Sequence, residues 1–162
     1  MRTRTAIAAG IFFFVQTAIA VANDNAKLVG TWKLVSFDTE FQNGEPARPY
    51  MGQKWVGYTV FTNEGRTMSV WEAEGRKPSN LEEDRAKLFR SMNALTGTYR
   101  YEGGTGVVEV DIAANPAYKG TQTRGYQLDG NRLQITTPWT PNANIAGSPM
   151  TRSLIRFERV AQ

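Results

Sequence analysis

The chain has 162 residues, 41% of them hydrophobic and 21% charged, with a formal net charge of +4. That is the length of about one domain and the balance of a globular one, which excludes a disordered tail. Cysteine and histidine are both absent; their absence excludes thiol nucleophiles, disulfide staples, the usual zinc sites, Ser-His-Asp triads and imidazole acid–base chemistry.

Arg2 and Arg4 precede an apolar run from Ala6 to Val15, and small residues follow at Ala18-Ile19-Ala20 and Ala20-Val21-Ala22. A positive end, a short greasy middle and an A-x-A site are the order of a secretory signal peptide. Residues 1–22 are therefore expected to be cleaved on export, leaving a mature periplasmic or secreted domain over residues 23–162. A membrane anchor would need about 20 apolar residues, and this run approaches that only by including Gln16 and Thr17. No stable membrane insertion is expected once it is removed. Loss of two of the 19 basic residues leaves 17 against 15 acidic ones, a net charge of +2, which is no footprint for nucleic acid.

After the signal the chain reads as short β runs. Thr31 to Phe37 is rich in aromatic and β-branched residues and predicts the first strand. Thr39 to Gln53 holds Asn43-Gly44, Pro46, Pro49 and Gly52, so it predicts a loop, either a lid over one barrel mouth or a passive Ω-loop. Val56–Phe61 and Thr67–Trp71 flank Asn63-Glu64-Gly65-Arg66, a hairpin signal. Ser79 with Glu82 resembles a capping box, and Leu81, Leu88, Phe89, Met92 and Leu95 fall on one helical stripe, which predicts a single helix. From there Thr98–Tyr101, Val107–Ala113, Gly120–Leu128, Arg132–Thr137 and Thr151–Arg159 predict strands, joined through Gly103-Gly104 and Asp129-Gly130-Asn131. Gly103-Gly104-Thr105-Gly106 has no helix or lysine after it and reads as a turn, not a phosphate loop. Eight sequential strands without strand–helix–strand alternation predict an all-β fold: an eight-stranded antiparallel up-and-down barrel with one inserted helix. Such a barrel has room for one small ligand.

Several stretches carry a family resemblance across the mature chain. They are Leu28-Val29-Gly30-Thr31-Trp32-Lys33-Leu34-Val35-Ser36, Gly65-Arg66-Thr67-Met68-Ser69, Leu95-Thr96-Gly97-Thr98-Tyr99, Asn115-Pro116 with Gly120-Thr121-Gln122 and Arg124, Leu128-Asp129-Gly130-Asn131-Arg132-Leu133, and Phe157-Glu158-Arg159. In these the chain resembles the bacterial lipocalin-like domain proteins. The resemblance implies a lipocalin-like barrel closed at its bottom by the G-x-W opening, and a small-molecule binder. It also implies a second class, since some relatives of this shape are cofactor-independent cyclases or isomerases. Where family members often carry histidine before the Asn-Pro segment, this chain has Val108 and Glu109.

The residues left for a site are carboxylates, arginines, tyrosines and tryptophans. Glu109 and Asp111 lie two apart and share one sheet face, opposite Val108, Val110 and Ile112. That face is either the solvated outside, or it points inward, where burial raises a carboxyl toward neutrality and makes it an acid or base. Arg124, which recurs in the resemblance, is the first choice for an interior cation facing a ligand carboxylate, phenolate or enolate, with Glu109 or Asp111 as its expected partner. Tyr58, Trp71, Tyr99 and Tyr101 are candidate ligand contacts, although aromatics of this kind also serve as core. Trp32 is expected to plug the barrel bottom, and Trp139, between Pro138 and Thr140-Pro141, either gates a mouth or simply packs. The leading expectation is an exported protein holding a small amphipathic molecule inside the barrel without cofactor or metal. The alternative is an isomerase, cyclase or lyase using Glu109 or a tyrosine with Arg124; the sequence does not decide whether the chain is an enzyme.

Overall fold

The computed structural model describes residues 24–161, and the expected signal segment, residues 1–22, lies outside them. Ten strands follow a four-residue helix, α1 (Asn25–Leu28): β1 (Gly30–Phe41), β2 (Arg48–Pro49), β3 (Trp55–Phe61), β4 (Arg66–Ala73), β5 (Met92–Glu102), β6 (Thr105–Ala113), β7 (Gly120–Asp129), β8 (Arg132–Thr136), β9 (Thr140–Pro141) and β10 (Met150–Arg159). A longer helix, α2 (Glu82–Arg90), lies between β4 and β5. Every pairing is antiparallel, and β1 pairs with β10 over Trp32–Phe41 to close the sheet. With β2 and β9 only two residues long, the result is the expected eight-stranded up-and-down barrel. Closure leaves no long edge to template aggregation. Among the described residues no helix is long and apolar enough to cross a membrane.

Alternation fills the interior. In β4, Thr67, Ser69, Trp71 and Ala73 are buried while Met68, Val70 and Glu72 are exposed, the period of a strand with one wet face. Two bulges interrupt this rhythm and decide what enters the barrel. The β1–β10 register slips between Leu34 and Ser36, so the inward set changes from Trp32 and Leu34 to Phe37, Thr39 and Phe41. The β5–β6 register slips between Thr96 and Gly97. As a result Asp111 and Ile112 both face out, and Ile112, 64% exposed, does not share the buried face of Val108 and Val110 that strict alternation predicts. Gly97 permits the second bulge: a Cβ there would lie 2.1 Å from the Glu109 carbonyl oxygen.

One end is sealed. Leu28 and Trp32 are fully buried there with Phe61, Phe157 and Leu133, the Trp32 Nε1–H donates to the Leu28 carbonyl at 2.7 Å, and the Arg159 guanidinium lies 4.2 Å over the indole ring. Trp32 is thus the bottom plug that the sequence suggested. The turns at this end are short: 62–65, 103–104 and 130–131. The four long connections, 42–54, 74–91, 114–119 and 137–149, all fall at the other end.

The helix differs from expectation. The stripe read through Met92 and Leu95 stops at Arg90, because Met92–Thr98 pairs with Arg66–Glu72 of β4 and becomes strand. No capping box forms: the Ser79 hydroxyl accepts from Leu81 N–H and donates to Asp84 at 2.8 Å, not to the Glu82 region. No residue of α2 is buried; it is an exposed flap at the barrel's open end, tied down where Arg76 Nη2 donates to the Leu88 carbonyl at 3.2 Å.

Candidate functional site at the open end

The 42–54 connection turns back on itself at a single 3-10 turn, Tyr50–Gly52, in which Met51 takes a left-handed φ of 55°. Tyr50 is held in two ways: its ring stacks on Phe37 at 4.2 Å and 9°, and its carbonyl accepts from Trp55 Nε1–H at 3.0 Å. Phe37 in turn meets Trp55 at 5.4 Å and Trp71 at 5.9 Å, both edge-on. Trp71 is fixed from behind, its indole N–H donating at 3.1 Å to Thr59 Oγ1, which lies 2.9 Å from Ser69 Oγ. A rigid aromatic wall results, favourable for ring-bearing or alkyl ligands because each ring offers large area at small entropic cost.

Behind this wall is a cavity of about 140 Å³, reaching Asn93, Leu95, Tyr118, Arg124, Thr137 and Ile155. Above it opens a vestibule of about 770 Å³ between the 3-10 turn, Phe89 and Arg90 of α2, Asn115 and Tyr118, and the 142–145 loop. Tyr50, Arg90, Met92 and Tyr118 line both. Residues 48–52 of the 42–54 connection therefore form part of the vestibule wall. The sealed half is occupied by the buried side chains of Leu28, Trp32, Phe61, Leu133 and Phe157, and both spaces lie at the open end.

Arg124 stands on the inner face of β7, alternating with Gly125 and sharing its side with the buried Tyr126. It is interior, as expected, but not with the expected partner. Its Nη2 donates to the side-chain oxygen of Gln122, and the Gln122 amide donates at 2.5 Å to the Tyr118 carbonyl. No carboxylate reaches it among the described residues. Asp111 is on the outer surface, bound by Arg66 Nη2 at 2.6 Å and 2.8 Å, which holds its carboxyl below the usual range. Glu109 also projects outward and accepts from the Thr121 hydroxyl at 2.6 Å; inward-facing neighbours Val108 and Val110 leave it no route to the cavity. Burial pushes the Arg124 guanidinium below the usual arginine range, and pushes the Tyr126 phenol up to about 12.

Of the residues singled out from sequence, Trp71 and Arg124 line the cavity. Tyr99 and Tyr101 are buried in the sealed half, where the Tyr99 hydroxyl donates to the Thr62 carbonyl at 3.1 Å and Tyr101 packs 5.8 Å from Tyr126. Tyr58 is 50% exposed on the outer wall. Trp139 is gripped by Arg152, whose guanidinium sits 4.5 Å over its ring, and lines neither space. Sequence reasoning missed Tyr50, Arg90, Met92, Asn93 and Tyr118. The signal for them was the connectivity: in an up-and-down barrel alternate connections share an end, and the long ones alternate with the short.

The model of the lipocalin-like domain family matches residues 29–160. The chain belongs to that family. The match runs from the residue before β1 to the residue after β10, so the whole lipocalin-like barrel, sealed end and open end alike, is within it. A search among curated proteins finds no match. Barrels of this shape suit a small molecule held in the mouth, and in this lipocalin-like chain the aromatic wall and Arg124 are what such a molecule would meet.

Proposed function

We propose that this is an exported lipocalin-like protein that binds a small, partly apolar molecule at the open end of its barrel. The observation that carries the reading is the pairing, in one cavity, of an aromatic wall with a largely buried guanidinium that lacks a carboxylate. Burying an uncompensated cation costs several kcal/mol, a cost that a fold without use for it would shed. Convergence of one charged group with apolar walls is how small-ligand sites obtain orientation as well as affinity. Export rests on the order of charge, apolar run and small residues before Asn23.

Acid–base catalysis with Glu109 has no geometric support, since that side chain faces solvent and no carboxylate lines the inner cavity. The binding reading is tested on natively purified protein by native mass spectrometry and solvent extraction. A bound small molecule in the complex, or saturable quenching of tryptophan fluorescence by small amphiphiles, is the expected result. Protein that carries none and titrates with none refutes it. Intact mass of the exported form should begin after Ala20 or Ala22; an unprocessed chain confined to the cytoplasm refutes export.

A further inference from the structure

Charge is distributed unevenly along the open end. The inner cavity holds donors: Arg124, and Asn93, whose Nδ2 is buried without a hydrogen-bond partner among the described residues. Its lining includes no Asp or Glu. The vestibule is faced by Phe41, Met51, Phe89, Met92 and Ile145, with Arg48 at its edge and Arg90 lining both it and the inner cavity. Arg48 is already engaged, by Glu45 at 2.5 Å and by the ring of Phe41 at 4.9 Å; Arg90 has no ion pair among the described residues.

Resting on the reading of this end as a ligand site, we infer that the ligand is an organic carboxylate that enters acid-first. The carboxylate seats on Arg124 and Asn93 at the bottom of the cavity, and the apolar body passes Tyr50 into the vestibule. A guanidinium is a planar fork whose N–H groups match a carboxylate two at a time. Here one nitrogen is fixed by Gln122, which is itself anchored to the 3-10 turn Pro116–Tyr118, so the fork is oriented before the ligand arrives. That orientation lowers the entropy lost on binding. Asn93 lines the same cavity, and its Nδ2, shut off from open surface and without a partner among the described residues, reaches a bound oxygen once the side-chain amide turns, which would return the free energy its missing bond costs.

Size sets the rest. A cavity of about 140 Å³ is close to the roughly 150 Å³ that holds one benzene ring. It accepts a carboxylate with a short alkyl or ring segment and no more, so the remainder of a larger ligand must lie in the vestibule. The opposite orientation, tail-first, would bury methylenes against Arg124 and leave the guanidinium dry and unpaired, the costliest arrangement available to it.

The matched probes are 4-phenylbutyrate and its neutral twin 4-phenylbutan-1-ol, titrated at pH 7.5 by quenching of tryptophan fluorescence and by calorimetry. The parent protein should bind the acid at least tenfold more tightly than the alcohol. Arg124→Met should erase the preference while keeping affinity for the alcohol, and Arg124→Lys should retain part of it, so that a folding defect in one variant is recognised. In the parent complex, nuclear Overhauser contacts from the phenyl ring should run to Phe89 or Ile145, which line the vestibule and not the inner cavity. Equal affinity for the two probes, or ring contacts to Trp71 and Ile155 at the cavity floor, overturns the acid-first inference and leaves small-molecule binding standing. Failure of both probes to saturate overturns both readings.

Discussion

Arg124→Met should stabilise the fold. The guanidinium is largely buried at the cavity, and the only acceptor it reaches among the described residues is the amide oxygen of Gln122; burial already disfavours its charge. Substitution gives up one charge-assisted hydrogen bond, worth roughly 1.5–3 kcal/mol, and relieves a desolvation penalty of several kcal/mol. Methionine is unbranched and adaptable, so it fills much of the vacated space against Trp71 and Ile155 without strain. Gln122 keeps its bond to the Tyr118 carbonyl and can turn its freed oxygen toward the vestibule. The balance is a gain of about 1–2 kcal/mol, which for a domain of this size raises Tm by roughly 3–6 °C. Urea unfolding followed by far-UV circular dichroism, with a thermal melt alongside, reads it. A loss of more than about 1 kcal/mol would refute the reasoning, because it would mean that Arg124 is held by structural interactions and is not kept at a cost for a ligand.

Gly97→Ala should destabilise by about 2–3 kcal/mol, since the new methyl group meets the Glu109 carbonyl at 2.1 Å and the Val110 Cα at 2.9 Å, both backbone; a shift below 0.5 kcal/mol in urea would show the bulge to be easily deformed. Tyr126, raised to about 12 from 10.0 by burial, keeps its proton in the fold where the unfolded chain loses it. Its stabilising contribution is therefore complete below pH 10 and lost as pH rises toward 12, a difference of roughly 3 kcal/mol. Tyr126→Phe should flatten that part of the urea-midpoint profile between pH 10 and 12, and an unchanged slope would contradict the assignment. Thr59→Val removes the acceptor of the Trp71 indole and a partner of Ser69, and should cost about 1–3 kcal/mol with a shift in tryptophan emission; an unperturbed spectrum would show Trp71 to be held by packing alone.

The barrel was legible because alternation and turn chemistry act locally. Asp129-Gly130 and Gly103-Gly104 fall at hairpin turns as read, and the Gly30–Trp32 opening marks the sealed end. The bulges were not legible, since a register slip is the outcome of pairing between distant strands, and each slip exchanges the faces beyond it. This is why Ile112 was placed on the buried side; Glu109 and Asp111 fail to reach Arg124 for a simpler reason, since Arg124 pairs with Gly106 and shares the face of Val108 and Val110, opposite both carboxylates. The α2 stripe was overread because Met92 and Leu95 suit either period, and pairing with β4 decided for strand. Arg124 itself was singled out as an interior cation by its recurrence in the family resemblance and its place on the hairpin beside Glu109, whereas Tyr50, Asn93 and Tyr118 come from connections and strand ends that no local pattern brings together.

Backbone amide chemical-shift mapping of 15N-labelled protein during titration with 4-phenylbutyrate tests the placement of the site most directly. Shifts should concentrate on Tyr50, Arg90, Met92, Asn93, Tyr118 and Arg124, and leave the sealed half around Trp32, Tyr99 and Tyr101 unmoved. Shifts confined to the outer wall around Tyr58, Val70 and Ile112, or to the sealed end, would contradict a ligand site at the barrel mouth.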